Sequence, residues 1–354
     1  MRKSLMIVGV LAGTSLMAAS LAPTKTAFAA DQLTVTAFGG VTQNAQRKIY
    51  FEPFGKKTGI RIIDQEYNGE AAKIRAMVDT KSVSWDVVEA DTTAAIQMCA
   101  DGVVEKIDWE KLGIDRSKFT GTDGNDCGVP SLVYSTVLAY DKDSLRNGPK
   151  TIADLYDLQK FPGKRGLSKT PFVNLEWALI ADGVAVKDVY KVLNTPEGAD
   201  RAFRKLDTIK KDVVWWQTGA QPAQLLADGQ VAMTQAWNAR ISTANKESGK
   251  HFEIVWDGEA LGSNSWVIPK GGPRVDSAYK FIAFVTSPLA QAELASYLNV
   301  GPANKDSIQY VDKAVLSSLP TAPENMANAL MVNLTFWADK GPELRERFTA
   351  WLAK

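Results

Sequence analysis

The apolar positions in the first third of the chain switch repeatedly between two periods. Residues 33–38 (LTVTAF) alternate as a half-buried strand does, and Gly39-Gly40 interrupts them. Residues 43–58 then space Ile49, Phe51 and Phe54 as a helix does, with Pro53 as a point of kinking. Residues 60–64 and 85–89 read as further strands. Residues 69–80, with Ile74, Met77 and Val78 on one face, and residues 92–100 read as helices. Strand alternating with helix predicts a parallel sheet with helices on both faces.

The pattern then breaks and restarts. Short strands at 129–130 and 135–140 lead out of the first unit, and residues 151–158 (TIADLYDL) form a helix with Thr151 as N-cap. Helices at 176–181 and 196–209 follow, the second with Ala202, Phe203, Leu206 and Ile209 on its apolar face. Residues 213–241 read as strand, turn, short helix, strand. Residues 252–256 and 265–269 read as strands, and 276–286 and 289–298 as helices parted by Ser287-Pro288. Three more helical stretches centre near Ala314, Ala327 and Arg345. The 354 residues suit two domains. The expected architecture is α/β: two α/β sheets, one per lobe, joined by crossings near Ala139 and Ile268. One lobe takes residues 31–138 and 269–354, the other 139–268.

The N-terminus adds a compartment. Met1-Arg2-Lys3 is basic, residues 5–22 are largely apolar, and Ala27-Phe28-Ala29 fits a small-x-small cleavage site. Residues 1–30 are therefore read as a cleaved export signal, the alternative being an uncleaved anchor. The chain has 41 basic side chains; without the leader's Arg2, Lys3 and Lys25, 38 face 40 acidic ones, a net charge of −2. Near-neutrality leaves no electrostatic footprint for nucleic acid. Cys99 and Cys127 are the only cysteines. In an exported protein they suggest one disulfide, worth about 3–4 kcal/mol for a loop of this length, against two buried thiols.

Candidate chemistry concentrates in 213–241. Trp215, Trp216 and Gln217 end one strand there, and Trp237, Asn238 and Arg240 follow the next. Such a group suits either plain packing or a grip on a small molecule with both charge and carbon. Enzymatic signatures are missing: His251 is the single histidine, and there is no nucleophile elbow, phosphate loop or dinucleotide fingerprint. A two-carboxylate hydrolase stays open on sequence grounds.

An ordered set of segments carries a resemblance: TVTAFGG, SWDVVEADTTAAIQMCADGVVEKID, DCGVPSLVYSTVLAYD, LADGQV followed by Trp237-Asn238, SNSWVIPKG and YLNVGPAN. Together they resemble the exported solute-binding proteins of ABC transporters, in the branch that includes spermidine/putrescine binders. The resemblance spans the mature chain. It implies a periplasmic, monomeric protein without a cofactor, two lobes joined by a hinge, a small-molecule solute in the cleft, closure on binding, and delivery to a membrane permease. Sensing for a membrane receptor is an alternative destination.

In open α/β sheets a ligand sits at the carboxyl ends of strands. That rule selects Phe38, Gly39, Gly40, Asp91, Thr92, Thr93, Trp216, Trp237 and Asn238, with Tyr134 and Ser135 at a crossing. The glycines admit a tight turn or close backbone approach to ligand, and Asp91 admits an N-cap role. Polyamine binders of the resembled branch carry an acid where this chain has Asn264, and acids near residues 170–173, where it has Thr-Pro-Phe-Val. Arg240 instead offers paired N–H donors to a carboxylate, unless it is a solvated helix-start residue. Asp91 under a tryptophan face suits an ammonium group. The expected solute is an amino acid such as γ-aminobutyrate or a derivative, with a polyamine as the alternative.

Overall fold

The computed structural model describes residues 31–354, so the leader expected over 1–30 lies outside the described residues. The early strand–helix alternation is realised with shifts of a few residues. β1 (Gln32–Ala37) buries Leu33 and Val35. α1 (Gly40–Gln46), a π-helical turn over Arg47–Phe51 and α2 (Glu52–Thr58) replace the one helix expected there. The widened turn sits just ahead of Pro53, which has no N–H for the regular ladder. β2 (Arg61–Glu66), α3 (Ala71–Asp79), β3 (Val87–Asp91), α4 (Thr92–Ala100) and the short α5 (Trp109–Leu112) follow. A disulfide joins Cys99 at the end of α4 to Cys127.

β4 (Gly128–Asp141) unites the two short strands expected at 129–130 and 135–140. Its side chains are buried on both faces, so alternation is absent and the sequence shows only fragments. The helix expected at 151–158 is a 3₁₀ segment, Ile152–Tyr156, whose start is fixed by Asp154 accepting from the Thr151 N–H. β5 (Arg165–Ser168), α6 (Asn174–Ala181), α7 (Val189–Leu193) and α8 (Pro196–Asp207) come next, α8 capped by Thr195. The 213–241 stretch is β6 (Val213–Trp216), α9 (Gln221–Ala227), β7 (Met233–Trp237) and the start of α10 (Asn238–Ser248). β8 (Phe252–Val267) absorbs both strands expected after it. α11 (Val275–Val285), α12 (Pro288–Leu298), β9 (Gly301–Pro302), β10 (Leu330–Met331) and α13 (Leu334–Leu352) complete the chain. Of the three late helices, those near Ala314 and Ala327 are 3₁₀ segments.

The strands form one sheet in the order β2-β1-β3-β8-β4-β7-β5-β6, with β10 beside β8 and β9 beside β4. β1 lies parallel to β2 and β3 at one end, and β5 parallel to β6 and β7 at the other. The antiparallel pair β4·β8 runs through the middle and fuses the two expected sheets into one ladder. Its register breaks between Thr136, opposite Ala260, and Leu138, opposite Val255. The excess residues of β8 there include Gly258 at φ 67°. This bulge marks where the two lobes meet.

The two largest core clusters each draw on distant parts of the chain. One group gathers Leu33, Val35, Phe54, Trp266, Phe281 and Ile282. Another gathers Trp177, Phe203, Leu206 and Met233, and it also holds Leu330, Phe336, Trp337 and Phe348. Residues 269–354 were grouped with the first lobe on sequence; from Leu330 onward they pack against the second. α13 carries the apolar face that does this, against an aromatic surface the second lobe would otherwise expose.

Candidate functional site

A cavity of about 840 Å³ opens where β3, β5, β6 and β7 end, between the lobes. From residues 31–138 Phe38, Asp91, Thr93 and Tyr134 line it; from residues 139–268, Trp216, Trp237, Arg240 and Asn264 do. Eight of the thirteen residues selected from sequence therefore meet on one surface.

Asp91 combines two roles. It caps α4, its Oδ1 accepting from the Thr93 N–H at 2.8 Å, while Oδ2 accepts from the Tyr134 hydroxyl at 2.8 Å. Burial pushes its carboxyl above the usual range, against the pull of these donors. Arg240 reaches from α10 toward the first lobe, with Nη2 3.5 Å from the Gly39 carbonyl. Burial lowers its pKa, opposed by the Glu66 carboxylate. Glu66 itself pairs with Arg47, and Arg240 has no ion pair among the described residues. Trp216 and Trp237 stand edge to face, with ring centroids 6.0 Å apart. Trp215 points the other way, onto Phe348 and Trp351 of α13. Strand alternation thus sends Trp216 to the cavity and its neighbour to the core.

Five selected residues do not line the cavity. Gly39 and Gly40 adopt φ 69° and 59°. A Cβ on Gly40 would lie 2.5 Å from Arg240 Nη1, so this turn leaves room for the guanidinium, and the Gly39 N–H donates to Gln43 Oε1 at 3.0 Å. Thr92 is buried and bonds Ser265 and Ser263 through its hydroxyl. Ser135 is buried and gives its backbone N–H to Asn238 Oδ1 at 3.0 Å. Asn238 is expected at the ligand from its place at a strand end, yet its Nδ2 donates to the Asn299 carbonyl at 2.6 Å. Both ends of that amide are committed, so Asn238 ties the lobes together.

Other lining residues escaped the sequence reading. Glu70 and Arg75 come from the start and middle of α3, Lys169, Phe172 and Val173 from the loop after β5, and Trp337 and Arg345 from α13. Only the β5 loop lies at a strand end, and β5 was not recognised as a strand. The six charged side chains around the cavity are four basic (Arg75, Lys169, Arg240, Arg345) and two acidic (Glu70, Asp91). Arg75 is neutralised by Asp101. The remainder favours a ligand bearing an acid over one with two cationic ends. Among the described residues, no group of three or more His, Cys, Asp or Glu is placed to hold a metal, and no helix is long and apolar enough to cross a membrane.

A family model described as bacterial extracellular solute-binding protein matches residues 50–325. A Pseudomonas aeruginosa protein named gamma-aminobutyric acid-binding protein is 45% identical over 322 residues, covering 91% of each chain. The solved structure of the Atu4243 GABA receptor is 38% identical with a TM-score of 0.81, over 92% of this chain and 98% of that one. A spermidine/putrescine-binding periplasmic protein of Salmonella typhimurium is 26% identical over 258 residues, 69% of this chain and 70% of that one.

Proposed function

Since the chain belongs to the bacterial extracellular solute-binding protein family, the substrate-binding proteins of ABC transporters, we propose that it captures γ-aminobutyrate or a close amino-acid derivative in the interlobe cavity. The observation that carries this reading is Arg240: a half-buried guanidinium without an ion pair, on the same cavity as Asp91 and the Trp216–Trp237 pair. A carboxylate meets the guanidinium with two parallel bonds. The ammonium end meets Asp91 beneath aromatic faces. Two named γ-aminobutyrate proteins among its relatives support the same ligand. The chain is exported by cleavage after its A-x-A segment, works as a monomer in the periplasm, and hands its ligand to a permease when the lobes reopen.

A melting-temperature screen of the mature protein with γ-aminobutyrate, other amino acids and putrescine tests the assignment. Ligand that binds only the folded state raises the melting temperature by mass action. A rise with γ-aminobutyrate, followed by calorimetric saturation at one site, is expected. A rise with putrescine alone rejects the acid-recognising role of Arg240.

A further inference from the structure

The β5–α6 loop carries a backbone conformation that needs a cause. Val173 sits at φ 67° and ψ −33°, a region β-branched residues almost never occupy. It lines the cavity beside Phe172, and the same wall contains Trp337 of α13. Such strain persists only where surrounding contacts over-determine it. Asn174 supplies one clamp, its Nδ2 donating to the carbonyls of Ser168 and Thr170 at 2.7 Å each.

The other clamp is Glu176, whose carboxylate is fully buried and faces no charged partner. Its Oε1 accepts from Trp337 Nε1 at 2.6 Å and from the Tyr190 hydroxyl at 2.9 Å. The backbone N–H groups of Glu176 and Val173, at the start of α6, act on the same carboxylate. Oε2 has no hydrogen-bond partner among the described residues. Burying an ionisable group without a charged partner costs stability. What it fixes are two parts of one wall: the strained Phe172-Val173 turn and the Trp337 indole, whose ring lies 5.1 Å from that of Phe172.

We infer that Glu176 is a positioning residue for ligand binding: it touches no ligand, but it holds the β5–α6 turn and the C-terminal helix in the register that shapes the second-lobe wall. The inference rests on the ligand occupying this cavity.

The test is a double-mutant cycle on the mature protein, with γ-aminobutyrate as probe. Glu176→Leu removes the acceptor at similar volume, and Trp337→Phe removes the donor. Each is expected to weaken binding about tenfold, and the double variant no more than either alone, the signature of one shared interaction. Glu176→Gln keeps an acceptor for the indole and should restore affinity to within about fivefold of wild type. The near-UV circular dichroism of the ligand-free protein should change in Glu176→Leu and recover in Glu176→Gln. Additive losses in the cycle, or no recovery of affinity with glutamine, overturn the inference. If Glu176→Leu does not fold, Glu176→Met, unbranched and without an oxygen acceptor, takes its place in the cycle with Trp337→Phe under the same criterion. Failure of wild type to bind γ-aminobutyrate rejects the proposed ligand instead, and the dichroism of the three variants then decides the positioning role.

Discussion

Arg240 and Asn238 lie two residues apart and do opposite work. Arg240→Ala should weaken γ-aminobutyrate binding more than tenfold, since a hydrogen-bonded charge is worth about 1.5–3 kcal/mol. Calorimetry at fixed ionic strength measures this, and an unchanged affinity would remove Arg240 from the site. Asn238→Ala should act on the fold first. It strands the buried Ser135 N–H and Asn299 carbonyl, at about 1–3 kcal/mol for unpaired groups. Urea unfolding without ligand should show that loss, and an unaltered midpoint would mean the amide is dispensable. The sequence suggested binding for both, because residue type at a strand end says nothing about which partners a side chain has already found. The same limit applied to Trp215 and Trp216: alternation required them to diverge, but only the position of α13 decided which became core. At Asp91, on the cavity wall, one oxygen caps α4 and the other accepts from Tyr134.

Among elements, legibility followed exposure. Half-buried β1 and amphipathic α8 show their periods and were found nearly in place. β4 and β8 were read as fragments because both faces are covered, and their continuity comes from pairing with each other over most of their length. α13 was found as a helix but not as a cavity wall, since its destination depends on an aromatic surface more than a hundred residues away. The Cys99–Cys127 bridge is inferred from count and compartment, and it links α4 to the residue just before β4. Replacing both cysteines with alanine should cost about 3–4 kcal/mol by the loop-closure argument. Calorimetric melting of oxidised wild type against the double variant measures it. A matched loss on reducing wild type would confirm that the bond, and not alanine packing, is responsible.

For the whole molecule, two buried carboxyls make stability depend on pH in a direction opposite to ordinary acid denaturation. Burial raises Glu176 to about 7 and Glu259 to about 8, from 4.5 for the free group. Glu259 lies in the bulge of β8 where the lobes meet, and its oxygens lack hydrogen-bond partners of good geometry among the described residues. Between pH 4.5 and these values the folded protein keeps protons that the unfolded chain has released. Folded binding of more protons means that stability falls as pH rises. The contribution is present in full below the unfolded value and is lost as pH climbs through about 7 for Glu176 and about 8 for Glu259. The loss is on the order of 3 kcal/mol for Glu176 and on the order of 5 kcal/mol for Glu259, since a tenfold change in proton affinity corresponds to about 1.36 kcal/mol. Ligand-free melting temperatures between about pH 5 and 8.5 should decline, and Glu176→Gln and Glu259→Gln should each flatten part of the curve. The Glu259→Gln effect should persist to the higher pH. A wild-type curve that rises through this range, or variants that track it in parallel, would show that water entering the hinge or the second lobe already solvates these carboxylates.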